Sequence, residues 1–420
     1  MLKTEQYVDR IKQHAVRFSH AEDLSPVVQA AKNAKYVLLG EASHGTSEFY
    51  TTRAAITKRL VAEHGFSFIA VEGDWPACFE VNRYIKGQAP EYANAEEVLR
   101  SFRRWPSWMW ANDEIEDLVN WLYDFNQTNE KQVGFYGMDV YSLWESMEAI
   151  VDYLEEIGSP DVEKAKRAFE CFEPFHRQAE QYGISAAFYG ESCMEEVMDL
   201  LKTIQQNRKT YTHDPEAALS MQVNALAAKN AESYYHAMVT NGNESWNIRD
   251  RHMVEALGFI TAHYGAGSKG VIWEHNTHIG DARATDMAEE NMINVGQLTR
   301  EIYGHNQVFA IGFGTHRGTV IAADRWGEEM EVMPVPEAMP GSWEDMLHKA
   351  GAFNQYILFG PENQDLFRET VGHRAIGVVY HPGRERFGNY VPSRLSERYN
   401  AFIHIDKTHA LSPHFFHGLL

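Results

Sequence analysis

Two residue pairs in this sequence have the types and spacing for acid–base chemistry, Glu41-x-x-His44 and His275-x-x-His278. Further acids stand at comparable points: Glu72 with Asp74, Asp139, and Glu274 beside His275; Thr315-His316 is a similar position. Carboxylate–imidazole pairs supply a general base, a general acid and the means of orienting both, because histidine titrates near neutrality and an acidic neighbour fixes its tautomer. Each pair taken alone also fits an ordinary structural role. Glu41 suits a helix N-terminus, Asp74 and Asp139 suit helix caps, and His275 with His278 suits a turn. Their recurrence singles them out, since each follows directly on a short apolar run and carboxylates are costly to bury unless paired or used.

Those apolar runs are the elements that must position the polar groups. Tyr36–Leu39 reads as a buried strand, and so do residues 66–71, 133–139, 269–276, 308–314, 319–324 and 375–380. Between the early strands the spacing turns helical. Gly45 and Thr46-Ser47 open a helix that ends at His64-Gly65, where glycine supplies a left-handed cap, and Asn112 caps another. From about residue 142 strand signals stop. Helical periodicity covers 143–157, 162–172, 192–208, 215–238 and 248–262. The pattern predicts an α/β protein with a mainly parallel sheet flanked by helices and an inserted helical cap. The expected division is core over 1–141, cap over 142–268 and core again over 269–420. In a parallel sheet the carboxyl ends of the strands share one edge, where ligands bind. The acids and imidazoles should therefore meet around one mouth, under the cap.

Other residues are candidates for contact with a bound molecule. Arg53 lies on the helix after His44, and Arg249 and Arg283 hold comparable positions; each also fits a plain salt bridge. The loop bearing Trp105, Trp108 and Trp110, and the pair Tyr234-Tyr235, suit pocket walls or ordinary packing. No G-x-S-x-G follows a strand, and there is no H-E-x-x-H, P-loop or dinucleotide fingerprint. The chain has 420 residues, 44% apolar, with a net charge of -21. That charge argues against a nucleic-acid or anionic-membrane surface and tolerates neutral or cationic small molecules. Cys78, Cys171 and Cys193 lack C-x-x-C spacing and read as free thiols of a reducing compartment. With no apolar run near 18 residues, the expected location is the cytoplasm.

Together, Leu38-Leu-Gly-Glu-Ala-Ser-His-Gly45, the strand ending in Val71-Glu72, the Arg249-Asp250 helix and Glu274-His-Asn-Thr-His278 resemble the erythromycin esterase family. The resemblance implies an α/β core, a helical cap and a deep cleft between them. It also implies hydrolysis of an ester, in named members a macrolide lactone and hence antibiotic resistance, by attack of water without a covalent serine. Carried over by position, Glu41, His44, Glu72, His275 and His278 are the catalytic candidates. Arg53, Asp74, Trp105, Tyr234 and Arg249 are the candidates for substrate binding, and no cofactor is called for. In this reading His44 or His275, held by Glu41 or Glu72, deprotonates water. Two alternatives use the same residues: a metal-dependent hydrolase with the five catalytic candidates as ligands, and a pocket that holds a small molecule without turnover.

Overall fold

The computed structural model describes residues 2–175, 177–189, 192–207 and 214–414. Its strands are β1 (Val16–Arg17), β2 (Tyr36–Leu39), β3 (Phe68–Asp74), β4 (Gly134–Asp139), β5 (Gly270–Trp273), β6 (Val308–Ala323), β7 (Met330–Val335), β8 (Gln355–Leu358), β9 (Thr370–Arg374), β10 (Tyr390–Arg394) and β11 (Ala401–Thr408). Among the described residues nine of them form one sheet in the order β1-β8-β11-β6-β2-β5-β3-β4, with β7 off the edge of β6. The run β11-β6-β2-β5-β3-β4 is parallel, and β8, β1 and β7 add antiparallel pairs at its margins. The fold is therefore a mixed α/β one with a mostly parallel central sheet flanked by helices.

Alternation along the strands explains the two layers. Val37, Leu39, Ile69, Val71, Val271 and Trp273 pack on one face, with the helices Ser47–His64 and Asp113–Thr128. Tyr36, Leu38, Phe68, Ala70 and Ile272 pack on the other, with the helices Gly242–Tyr264 and Trp343–Ala350. A strand buried on both faces must be apolar throughout, which is why these runs stood out in the sequence. Gly65 closes its helix at φ 68°, and the Asn112 side chain accepts from the Ile115 amide.

Between β4 and β5 the chain is helical, and a separate apolar cluster fills that region through Leu143, Met147, Ile150, Leu200, Ile204, Met221 and Tyr235. The helix Gly242–Tyr264 belongs to the sheet layer instead, through Met253, Leu257 and Ile260. Several expectations need correction. The two runs 308–314 and 319–324 join into one strand, β6, which ends at Ala323, because the Gly312-to-Gly318 stretch continues extended along β11. Residues 375–380 are not a strand; they touch Ser43 and Ala323 through single bridges, and pairing falls to β9 and β10 on either side. The helix predicted over 192–208 runs Met194–Asn207, with residue 208 outside the described set. Cys171 and Cys193 are not free: they form a disulfide with Cα atoms 5.9 Å apart, because the helices Val162–Glu170 and Met194–Asn207 pack side by side. Only Cys78 is a free, buried thiol, so the cysteines no longer argue for a reducing compartment. Among the described residues no helix is long and apolar enough to cross a membrane.

Candidate active site

The turn after β2 is held against the neighbouring strands. The Asn276 amide donates to the Glu41 carbonyl (2.9 Å), and the Ile321 amide of β6 donates to that of Gly45 (2.9 Å). A Cβ at Gly45 would stand 1.9 Å from the Ile321 oxygen, so the turn reaches β6 only with glycine there. This fixes the Glu41 and His44 side chains. His44 Nδ1 donates to Glu41 Oε1 at 2.8 Å, and Arg53 Nη2 donates to Glu41 Oε2 at 2.5 Å. Arg53 is buried, with its guanidinium 4.4 Å from the Tyr50 ring and 4.5 Å from that of Trp273. It lies behind Glu41, away from the cavity, and locks the carboxylate that orients His44.

A second group forms around Arg249, from the helix Gly242–Tyr264. Its Nε and Nη2 grip Asp139 at 2.9 and 2.7 Å, Nη2 also donates to Glu72 at 2.7 Å, and Nη1 donates to His278 Nε2 at 3.1 Å. Since arginine can only donate, Nε2 of His278 accepts, and its Nδ1 faces Asp250 at 3.0 Å. Trp246 stacks on the His278 ring at 4.5 Å. His278 is thus occupied on both nitrogens. These bonds use four of the five guanidinium N–H groups and leave one on Nη1.

The third group links the first two. The His275 amide donates to Glu72 Oε2 at 2.8 Å, and the His275 ring lies 4.9 Å from that of His44. The Thr277 amide donates to His275 Nδ1, which places the proton on Nε2. Glu274 is fully enclosed and neither carboxyl oxygen has a hydrogen-bond partner.

Electrostatics separate the two imidazoles that face each other. Burial disfavours a charge on His44, but the Glu72 carboxylate and the Glu41 hydrogen bond outweigh it and raise its pKa. Burial and the neighbouring His44 push His275 well below an ordinary histidine. Burial alone would raise the Glu72 carboxyl, yet the His278–Arg249 pair, His44 and the His275 amide hold it well below the usual range. Burial, with Glu72 and Asp250 close by, drives Glu274 well above it, so this carboxyl stays neutral.

A cavity of about 490 Å³ opens onto these groups. It is lined by His44, Glu72, Asp74 and Asp139 from the sheet edge, by Arg249 from the helix Gly242–Tyr264, and by Tyr141, Glu145 and Glu148 from the helical side. His44 is the imidazole on its wall; Glu41, His275 and His278 stand behind. Asp74 is clamped by Nε and Nη2 of Arg104, at 2.6 and 2.7 Å. Trp105 packs on Trp326 at the mouth, and Tyr234 is buried beside Tyr141. Arg283 pairs with Asp281 and Glu301, and His316 stacks on His348. The residues reasoning from sequence did not assign are Asp250, Arg104, Tyr141, Asn276 and Trp326. Asp250 carried a signal, standing next to Arg249. Asn276, between the two histidines, ties the turn to β6 by donating to the Phe313 carbonyl at 2.7 Å. Tyr141 and Trp326 had none.

The five residues named as alternative metal ligands are largely committed to one another and to arginines. Arg249 itself is the cation that bridges Glu72, Asp139 and His278. Among the described residues the group whose ligand atoms lie within 4.8 Å of one another is Asp113, Glu116 and His414, part of a different surface.

The profile of the erythromycin esterase family matches residues 61–408. The chain belongs to the erythromycin esterase family. The matched stretch takes in Glu72, Asp139, Arg249, His275 and His278, while Glu41, His44 and Arg53 precede it. The chain is 18% identical over 423 residues to the erythromycin esterase type II of Escherichia coli, covering 92% of this chain and 93% of the relative. It is 20% identical over 407 residues to the putative hydrolase YbfO of Bacillus subtilis (strain 168), covering 92% and 86%. Among solved structures it resembles a protein from Bacillus cereus (TM-score 0.81, 19% identity, 98% of this chain and 99% of the other). It also resembles a histidine-to-asparagine mutant of the erythromycin esterase EreC in its open conformation (TM-score 0.67, 13% identity, 94% and 97%). At these identities the structural likeness is one of fold.

Proposed function

We propose that the chain is a hydrolase of carboxylic esters in which His44 is the general base. The observation that carries the reading is the ordered chain Arg53–Glu41–His44, ending in an imidazole on the cavity wall. With Nδ1 committed to Glu41, Nε2 of His44 is the atom that takes a proton from water. The hydroxide adds to the ester carbonyl, and the remaining N–H of Arg249 supplies a donor for the oxyanion. Collapse of the intermediate breaks the C–O bond, and the proton held by His44 passes to the departing alkoxide. The products are one acid and one alcohol, with the water consumed. His275, held neutral, and His278, bound on both nitrogens, position Glu72 and Arg249 instead of competing for the proton. Family membership and the two hydrolase-named relatives support this chemistry. A macrolide lactone, after the Escherichia coli relative, is one substrate to test.

Hydrolysis of p-nitrophenyl acetate and of erythromycin by the purified chain, with and without chelator, tests the reading. His44→Ala is expected to lower kcat/KM by ~10²–10⁴-fold without changing Tm by more than a few degrees. Near-full activity in that variant would sink the assignment. Activity lost to chelator and restored by a divalent ion would favour the metal-dependent mechanism.

A further inference from the structure

We propose that Trp326 is a specificity-determining residue of this cavity: it forms an aromatic platform at the mouth for the apolar, ring-bearing end of a long ester. The inference rests on the ester hydrolase reading and names its substrate class. Trp326 stands on the turn between β6 and β7 and lines the same cavity as His44, yet it is 59% exposed. Its place is fixed. Trp105 meets it edge-on at 4.5 Å, and the Trp105 indole N–H donates to the Glu328 carbonyl at 2.9 Å, which clasps two loops remote in sequence. On its inner side Trp326 lies 6.4 Å from the Tyr141 ring. Tyr141 in turn lies 4.9 Å from the guanidinium carbons of both Arg104 and Arg249.

These contacts make a continuous path from mouth to floor: Trp326, Tyr141, Arg249, Glu72. A small ester bound at His44 ends before the indole. A longer one passes Tyr141 and lays its far end on Trp326, where it removes apolar surface from water on both partners. Selection by this ring acts on binding, since the indole is remote from the reacting carbonyl.

The test compares p-nitrophenyl acetate with p-nitrophenyl 4-phenylbutyrate in the wild-type chain, Trp326→Ala and Trp326→Phe. The alanine variant is expected to raise KM for the phenylbutyrate about tenfold, with kcat within about twofold and the acetate changed far less. Phenylalanine should restore most of the loss. An equal effect on both esters, or none, would overturn the proposal. Calorimetric binding of 4-phenylbutyranilide, which is not cleaved, judges Trp326 apart from turnover. About tenfold weaker binding to Trp326→Ala supports the platform even if neither ester is hydrolysed, an outcome that would remove the esterase reading alone. Equal affinity in both chains, or no measurable binding to the wild-type chain, overturns it.

Discussion

At the scale of single residues, the site gives two neighbouring imidazoles opposite protonation preferences. His44 has carboxylates on two sides and His275 has a second imidazole and little water. In the proposed reaction His44 is therefore the imidazole that carries the proton. A base must be neutral to act, and the raised pKa of His44 places the acid limb of kcat/KM above the pH of an ordinary histidine. Glu72 is the strongest of the charges that raise it, so Glu72→Gln should shift that limb to lower pH while reducing activity. A pH–rate profile with an unmoved limb would separate Glu72 from His44. Glu41, His44, Glu72 and His275 were all legible as types at intervals. What each does was not, because the decisive facts are which nitrogen is engaged and by what.

Secondary elements carry these groups with different precision. The turn after β2 is anchored to β6 and to the segment just after β5 by backbone hydrogen bonds, and by a glycine that tolerates no side chain. The helix Gly242–Tyr264 delivers Arg249, Asp250 and Trp246 from the far side of the sheet layer, which is why the tail of the helical stretch belongs to the core. The rest of that stretch is stapled by Cys171–Cys193, which are 22 positions apart. A loop of that size is stabilised by ~3 kcal/mol through the entropy its closure removes from the unfolded chain. A reducing agent, or Cys171→Ser, should lower the urea midpoint of the helical region while circular dichroism at low urea stays unchanged. An identical midpoint with and without reductant would contradict this. Spacing alone did not reveal the pair, because no local motif brings the two cysteines together; the packing of two helices does.

Over the whole molecule, buried carboxylates tie acid stability to the native state. Glu72 and Asp139 are held below the usual carboxylate range mainly against burial, by His278 with Arg249 and by Arg249; Glu216 and Asp406 are held at about 2, by His263 and Lys86 and by His404 and His348. A depressed folded pKa means that the unfolded chain binds more protons once pH drops below the ordinary carboxylate value. The stability these groups contribute is thus present above about pH 4.5 and is lost as pH falls toward their folded values. Urea midpoints should decline steeply between pH 5 and pH 3, taken here as roughly the span of ordinary carboxylate titration. A flat profile over that span would contradict this account; the raised Glu274 and Asp250 carboxyls act the other way, mainly above the ordinary carboxylate value.

The sequence by itself determined the layered α/β plan, the five parallel strands β2 to β6 and the acids and imidazoles that end them. Strands buried on both faces have to be continuous apolar runs, and the chain can turn polar only where they stop. It did not reveal β1, β7 or β8, which are short or mix polar with apolar residues, nor β11, where His404, Asp406 and Lys407 interrupt the apolar run. Only the tertiary structure decided that Arg53 backs Glu41 instead of facing the cavity, that Arg249 joins Glu72, Asp139 and His278, and that Trp326 meets Trp105 at the mouth. Each of these depends on residues far apart in the chain arriving at one point. Their side chains carry no periodic pattern, because one contact, and not a face, is what holds them there.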